Sequence, residues 1–226
     1  MNDRARAFKA VSPGMLPPLG ILFALLVGFI AVEVWNNFDK AKVAVASEAS
    51  ALRAVVLLAG NLPEEQKTRI YALIDRHIEE AINKEWPAMA RQRATLSTLR
   101  ANALIEALHD VLTLKPADDS QRTAQPEMVR ALHTALDARR QRIVVSQSAV
   151  GTVKWAGILL QGLCTLVAIA MVHSDNRLTC AIALTLFATG IALSLLLIAA
   201  YSRPFTGEIS VRPDLLKQVM TSGATP

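Results

Sequence analysis

Four histidines, at positions 77, 109, 133 and 173, are the first side chains in this 226-residue chain that could hold a metal or move a proton. None belongs to an HExxH pair. His77 and Glu80 fall on one helix face with Asp75, Glu79 and Glu85 nearby, a set that could hold a metal ion. Lys67, Arg69, Arg76 and Lys84 are interspersed with them, so a solvated, charge-balanced face explains the same residues. Without a second set of ligands, neither a metal nor any other cofactor is expected. Cys164 and Cys180 could be a redox pair, but both fall in or beside apolar stretches, where a thiol is an ordinary small hydrophobe. No P-loop, GxGxxG or GxSxG element is present, and no enzymatic activity is expected. Two charged features remain. Arg139, Arg140 and Arg142 could bind anionic lipid or a free anion, or act only as a topology signal. Glu33 could select ions or reach lipid headgroups.

The elements that would position these groups are set by an uneven hydrophobicity. Hydrophobic residues make up 52 % of the chain and charged ones 19 %. Ala10–Val32, Trp155–Ser174 and Leu178–Ser202 contain no Asp, Glu, Lys or Arg over 23, 20 and 25 residues. About 20 consecutive apolar residues cross a bilayer, so the chain reads as a three-span membrane protein. That excludes an ordinary soluble enzyme, a disordered chain and a disulfide scaffold. The basic residues gather beside the spans, and no nucleic-acid partner is expected. The first span is longer than a signal peptide's apolar stretch and reads as a permanent anchor.

Pro17-Pro18 should open the first helix, placing span one at residues 19–35. Gly20, Ala24 and Gly28 recur every fourth residue, a small-residue face on which another helix can approach, from a second copy or within one subunit. Ile21, Leu25, Phe29 and Val32 form a bulky stripe, suited either to lipid or to an apolar constriction that gates a pore by dewetting. Spans two and three are placed at 153–173 and 178–201, and Trp35 and Trp155 mark the membrane interface.

Residues 36–152 form the one large polar segment. Its apolar residues step by three and four. Phe38, Ala41, Val45, Ala49, Leu52, Val56 and Ala59 continue span one, and Gly60-Asn61 stops that helix. Ile70, Ile74, Ile78 and Ala81 follow Pro63-Glu64-Glu65, with a break expected at Trp86-Pro87. Leu96, Leu99, Ala103, Ala107 and Val111 make a third stripe. After a loop at 115–125, Pro126-Glu127 opens a fourth helix with Val129, Leu132, Leu136, Ile143 and Val150. The fold expected is all-α: three transmembrane helices with a four-helix polar domain between spans one and two, flanked by residues 1–18 and a tail, 202–226. Ten basic residues flank the spans on the side of that domain and tail, against Arg4, Arg6, Lys9 and Arg177 on the other. The excess places the domain and C-terminus in the cytoplasm, against the pull of the basic N-terminus.

Several of these residues also carry a resemblance. Ala44-Val45-x-x-Glu48-Ala49-x-Ala51-Leu52, Leu62-Pro63, Glu85-Trp86-Pro87-x-Met89, Arg139-Arg140-x-Arg142, Trp155 and Arg203-Pro204-Phe205-x-Gly207 resemble, in order from about Gly20 to Leu215, the bestrophin-like family of bacterial membrane proteins. The resemblance implies a helical cytoplasmic domain between spans, in the bacterial inner membrane. It also implies a distant link to bestrophins, which are oligomeric anion channels. That family usually has a further span ahead of 19–35, so either a start assigned too late or a three-span variant is implied. The expected function is an ion-conducting homo-oligomer in the lipid bilayer that passes inorganic ions. The alternative is a non-conducting sensor or scaffold whose helical domain binds a partner.

Overall fold

The computed structural model describes residues 2–96 and 101–220, with the backbone alone for residues 2–13 and 15. Among them the chain is helical and has no strand. The helices are α1 (Asn2–Ala59), α2 (Glu64–Glu80), α3 (Trp86–Ala90), α4 (Asn102–Thr113), α5 (Asp119–Ser146), α6 (Thr152–Val172), α7 (Arg177–Tyr201) and α8 (Asp214–Lys217), with a π-helical turn at Ala81–Glu85. They divide into two compact units. The first holds Met1–Asn36 and Ala149–Ser202, the second Asn37–Ser148 and Arg203–Pro226.

In the first unit the upstream part of α1 packs with α6 and α7. All three helices are long and apolar enough to cross a membrane. Phe23, Ile30, Val34, Ile158 and Ile198 form the buried centre, and Phe23 meets Phe187 with ring centroids 6.0 Å apart. Gly162 is the close approach: a Cβ there would lie 3.3 Å from Ile191 Cδ1 and 3.5 Å from Phe23. Asn176 starts α7 by accepting from the amides of Leu178 and Thr179. The helix expected to begin at Leu19 extends upstream to Asn2 through Pro13, Pro17 and Pro18. Each proline forfeits one backbone hydrogen bond but holds φ near a helical value, so the helix continues on both sides.

The second unit is a bundle of the downstream part of α1 with α2, α4 and α5. Its larger core runs from Leu52, Val55 and Ala59 through Ile70, Ile74 and Ile78 to Leu104, Ala107, Met128 and Leu132. Two boundaries depart from the sequence reading. Helix α5 begins at Asp119 and carries Pro126 inside it. Asp118 accepts from the Gln121 amide at 2.7 Å while Gln121 accepts from the Ala117 amide, a reciprocal cap that starts the helix two turns before the proline. Helix α4 begins at Asn102, and Leu96 is exposed outside it; Leu99 lies outside the described residues. The stretch after Ser202, read as a C-terminal tail, belongs to this unit: Phe205 sits in its smaller core with Ala41, Val45, Met89, Ala94, Ile143 and Val145.

Candidate functional site

The polar centre of the second unit is built on helix faces that are otherwise apolar. On α5 the buried positions include Ala124, Met128, Leu132, Ala135, Arg139 and Arg142, so two arginines continue an apolar stripe inward. Glu48 does the same on α1, and His77 and Glu85 on the α2 face and its π-helical extension. Pro87 has no N–H for the carbonyl four residues back, and here the chain widens into the π-helical turn that ends at Glu85.

These side chains meet in one network. Arg142 donates to Glu48 through Nε at 2.7 Å and Nη2 at 3.1 Å, and to Glu85 Oε2 through Nη2 at 2.7 Å. Arg139 donates to the other Glu85 oxygen through Nε at 2.8 Å and through Nη2. His77 Nε2 lies 2.9 Å from Glu48 Oε1. Met89 Sδ accepts from Arg142 at 3.6 Å. Two carboxylates and two guanidiniums balance, which a buried cluster requires because an unpaired charge there is far more costly than a paired one. Glu48 belongs to the second unit, downstream of the charge-free stretch of α1. Burial alone would raise its pKa, but the Arg142 charge and the hydrogen bonds from His77 and Arg142 pull it down to about 2. The arrangement fixes charge in place. Among the described residues no three of His, Cys, Asp and Glu come together as a metal site.

The stretch from Pro204 to Val211 forms a strap over this network. The Trp86 ring lies against the Arg142 guanidinium, 4.5 Å from centroid to Cζ, and meets Phe205 edge-on at 5.8 Å. Its indole N–H donates to the Val211 carbonyl at 3.1 Å, and Thr206 donates to the Ala90 carbonyl at 2.9 Å. The strap closes on itself with Val211 N–H to Pro204 O at 2.8 Å, and Gly207, at φ +90°, takes a left-handed conformation that side chains disfavour.

The sequence reading therefore needs two corrections. Arg139 and Arg142 are not surface topology signals but buried ion-pair partners; Arg140 alone of the three is exposed. His77 does not share a solvated face with Glu80. It points inward to Glu48, while Glu80 pairs outward with Lys84. What the sequence reading of His77 lacked was its burial, signalled by its place in register with Ile70, Leu73 and Ile74. Of the remaining motif residues, Trp86, Phe205 and Gly207 belong to the strap contact, Pro204 is buried beside it, and Arg203 is exposed.

In the first unit, Ile21, Leu25, Phe29 and Val32 are 51–72 % exposed. A Cβ at Gly20 or Gly28 would meet nothing within 4 Å, and Ala24 is exposed. Glu33, on the same helix, takes both bonds from Lys154 Nζ at 2.6 Å.

A long apolar helix that continues into a polar helical bundle, followed by two further helices long and apolar enough to cross a membrane, defines a multi-span helical membrane protein. Its family is fixed by a profile described as "Bestrophin-like domain", which matches residues 1–216. The chain belongs to the bestrophin-like family. Its fold is similar to a crystal structure of a bacterial bestrophin homologue from Klebsiella pneumoniae carrying an isoleucine-to-threonine mutation, at TM-score 0.71 and 17 % identity over 92 % of this chain and 86 % of that one. A second structure of a Klebsiella pneumoniae homologue gives TM-score 0.65 and 14 % identity over 94 % and 88 %. A structure described as a membrane protein gives 0.61 and 15 % over 92 % and 84 %. Among functionally curated proteins the chain has no match.

Proposed function

We propose that copies of this chain assemble in the bacterial inner membrane around a conduit for inorganic ions, with α1 as its wall. The supporting observation is how α1 divides its faces. At about 100° per residue, Phe23, Ile30 and Val34, which are buried in their own chain, lie roughly opposite Ile21, Leu25, Phe29 and Val32. Gly20, Ala24 and Gly28 lie between the two faces. Such a helix can bury one face in its own subunit, offer the small-residue face to a neighbouring copy and turn the bulky stripe toward a common axis. Glu33 is held by Lys154, which makes it a fixed dipolar feature of the helix rather than a free carboxylate. The reading is one of conduction rather than catalysis, and no nucleic acid takes part.

Single-channel recording in planar bilayers tests it. Leu25→Ser should ease wetting of the constriction and raise conductance. Silence from both proteins, with insertion verified, would favour the non-conducting sensor or scaffold.

The orientation proposed has the helical unit and strap in the cytoplasm. Without the buried Arg139 and Arg142, eight of the ten basic residues on that side remain against four. Asp118 caps α5, so a cysteine reporter belongs at exposed Lys115, in a chain whose Cys164 and Cys180 are replaced by alanine. Lys115→Cys should resist an impermeant maleimide in intact cells and react after lysis.

A further inference from the structure

The chain enters the second unit at Asn37, leaves it at Ser148 and returns at Arg203, and Ala41, Val145 and Phe205, beside these three points, share the smaller core, which marks one end of the unit. The smaller core lies at this end, and basic residues flank nearly every segment of it. Lys40 and Lys42 bracket Ala41, Arg91 and Arg93 precede Ala94, Arg140 precedes Ile143, and Arg203 precedes Phe205. All six are exposed. Lys42 has Asp39 at 3.9 Å and lies over the Phe38 ring; the other five have no carboxylate partner among the described residues. Elsewhere on the same unit basic side chains are matched, as Arg69 is by Asp110, Arg76 by Glu106 and Arg130 by Glu127. Arg53, Lys115 and Arg212 stand outside that pattern.

We propose that this collar binds the phosphate groups of anionic phospholipids, so that the helical unit docks on a negatively charged leaflet. Four of the six residues, Lys40, Lys42, Arg140 and Arg203, lie within eight positions of the places where the chain crosses to the apolar helices, so their long stems reach headgroup level. Guanidinium groups bond phosphate oxygens in pairs, and the attraction of a charged leaflet persists over about 10 Å at 0.1 M salt. Clustered basic residues next to a span are the composition that recognises such a surface. The inference does not depend on ion conduction: a scaffold with the same collar would bind the same lipids.

The test uses the full chain in phosphatidylcholine vesicles containing phosphatidylglycerol or phosphatidylcholine with brominated acyl chains, whose quenching of tryptophan reports relative binding. The wild type should favour phosphatidylglycerol several-fold, and high salt should erase the preference. K40Q/R91Q/R93Q/R140Q should bind the two lipids about equally, with phosphatidylcholine quenching unchanged as proof of insertion. R53Q/K115Q should keep the wild-type preference. A wild type without preference, or a quadruple variant that retains it, overturns the proposal.

Discussion

The Arg142 guanidinium lies 4.5 Å from the Trp86 ring centroid while bonding both Glu48 and Glu85. One side chain thus joins α1, the π-helical turn and the Trp86 strap contact, and none of these elements is its neighbour in sequence. Removing it leaves two carboxylates buried with less than their complement of donors. Arg142→Met should therefore destabilise the helical unit by about 3–5 kcal/mol, the usual cost of breaking a buried pair from one side. Arg142→Lys keeps the charge but cannot bridge both carboxylates with a planar fork, and should recover only part of the loss. Circular dichroism melts in detergent measure both. A wild-type melting curve for Arg142→Met would mean that the network contributes nothing to stability.

Acid should act on the same cluster through Glu48. Its folded pKa, about 2, lies below the ordinary value of 4.5, so the stabilisation is complete above the ordinary value and is lost as pH falls through the folded one. Melting temperature should decline between about pH 4.5 and pH 2. In Glu48→Gln the overall stability should be lower, because His77 and Arg142 lose a charged acceptor, and this part of the acid dependence should disappear. Parallel pH curves for the two proteins would place the acid sensitivity elsewhere.

Glycine positions separate packing within a subunit from packing between subunits. Gly162 already has Ile191 and Phe23 at contact distance, so Gly162→Leu should disrupt the three-helix unit itself and lower the yield of folded protein. Gly28 has open space around it, and Gly28→Leu should leave the subunit folded but dissolve a detergent-stable assembly. Size-exclusion chromatography with light scattering distinguishes the two. An assembly unchanged by Gly28→Leu would remove the small-residue face from the interface.

Much of the fold was legible because hydrophobic periodicity is a strong signal. The three apolar stretches are helices, and the stripes Phe38–Ala59 and Ile70–Ala81 are buried, with Val56 only partly so. The start of α5 was misread because Pro126 is a louder signal than the Asp118/Gln121 cap, although proline is tolerated inside a helix that tertiary contacts hold. The buried network was half legible. Glu48, Glu85, Arg139 and Arg142 were singled out by the family motif, yet their charge argued for solvent. What the sequence could have offered is phase: Arg139 and Arg142 fall in step with Met128, Leu132 and Ala135, and His77 with Ile70 and Ile74. A charge in phase with an apolar stripe means a buried partner, but the partners come from residues 29 to 94 positions away, a pairing that no local pattern encodes.

The strap offers the last test, because Trp86 holds it by two separable interactions. Trp86→Phe keeps an aromatic face over Arg142 and an edge for Phe205 but loses the indole N–H bond to the Val211 carbonyl. That bond should be worth about 1 kcal/mol, so the cluster should persist while the strap opens more often. Trp86→Ala removes both interactions and exposes the Arg142 face, a larger loss. Limited proteolysis reads the difference, since Glu208 is exposed within the strap and a glutamyl endopeptidase cuts after it. Cleavage there should rise modestly in Trp86→Phe and steeply in Trp86→Ala. Thr206, which still bonds the Ala90 carbonyl in both variants, keeps the strap from leaving entirely, and adding Thr206→Val should bring Trp86→Phe close to the alanine variant. Equal cleavage in all four proteins would mean that the strap is held by its own Val211–Pro204 closure and the Phe205 anchor, and not by Trp86.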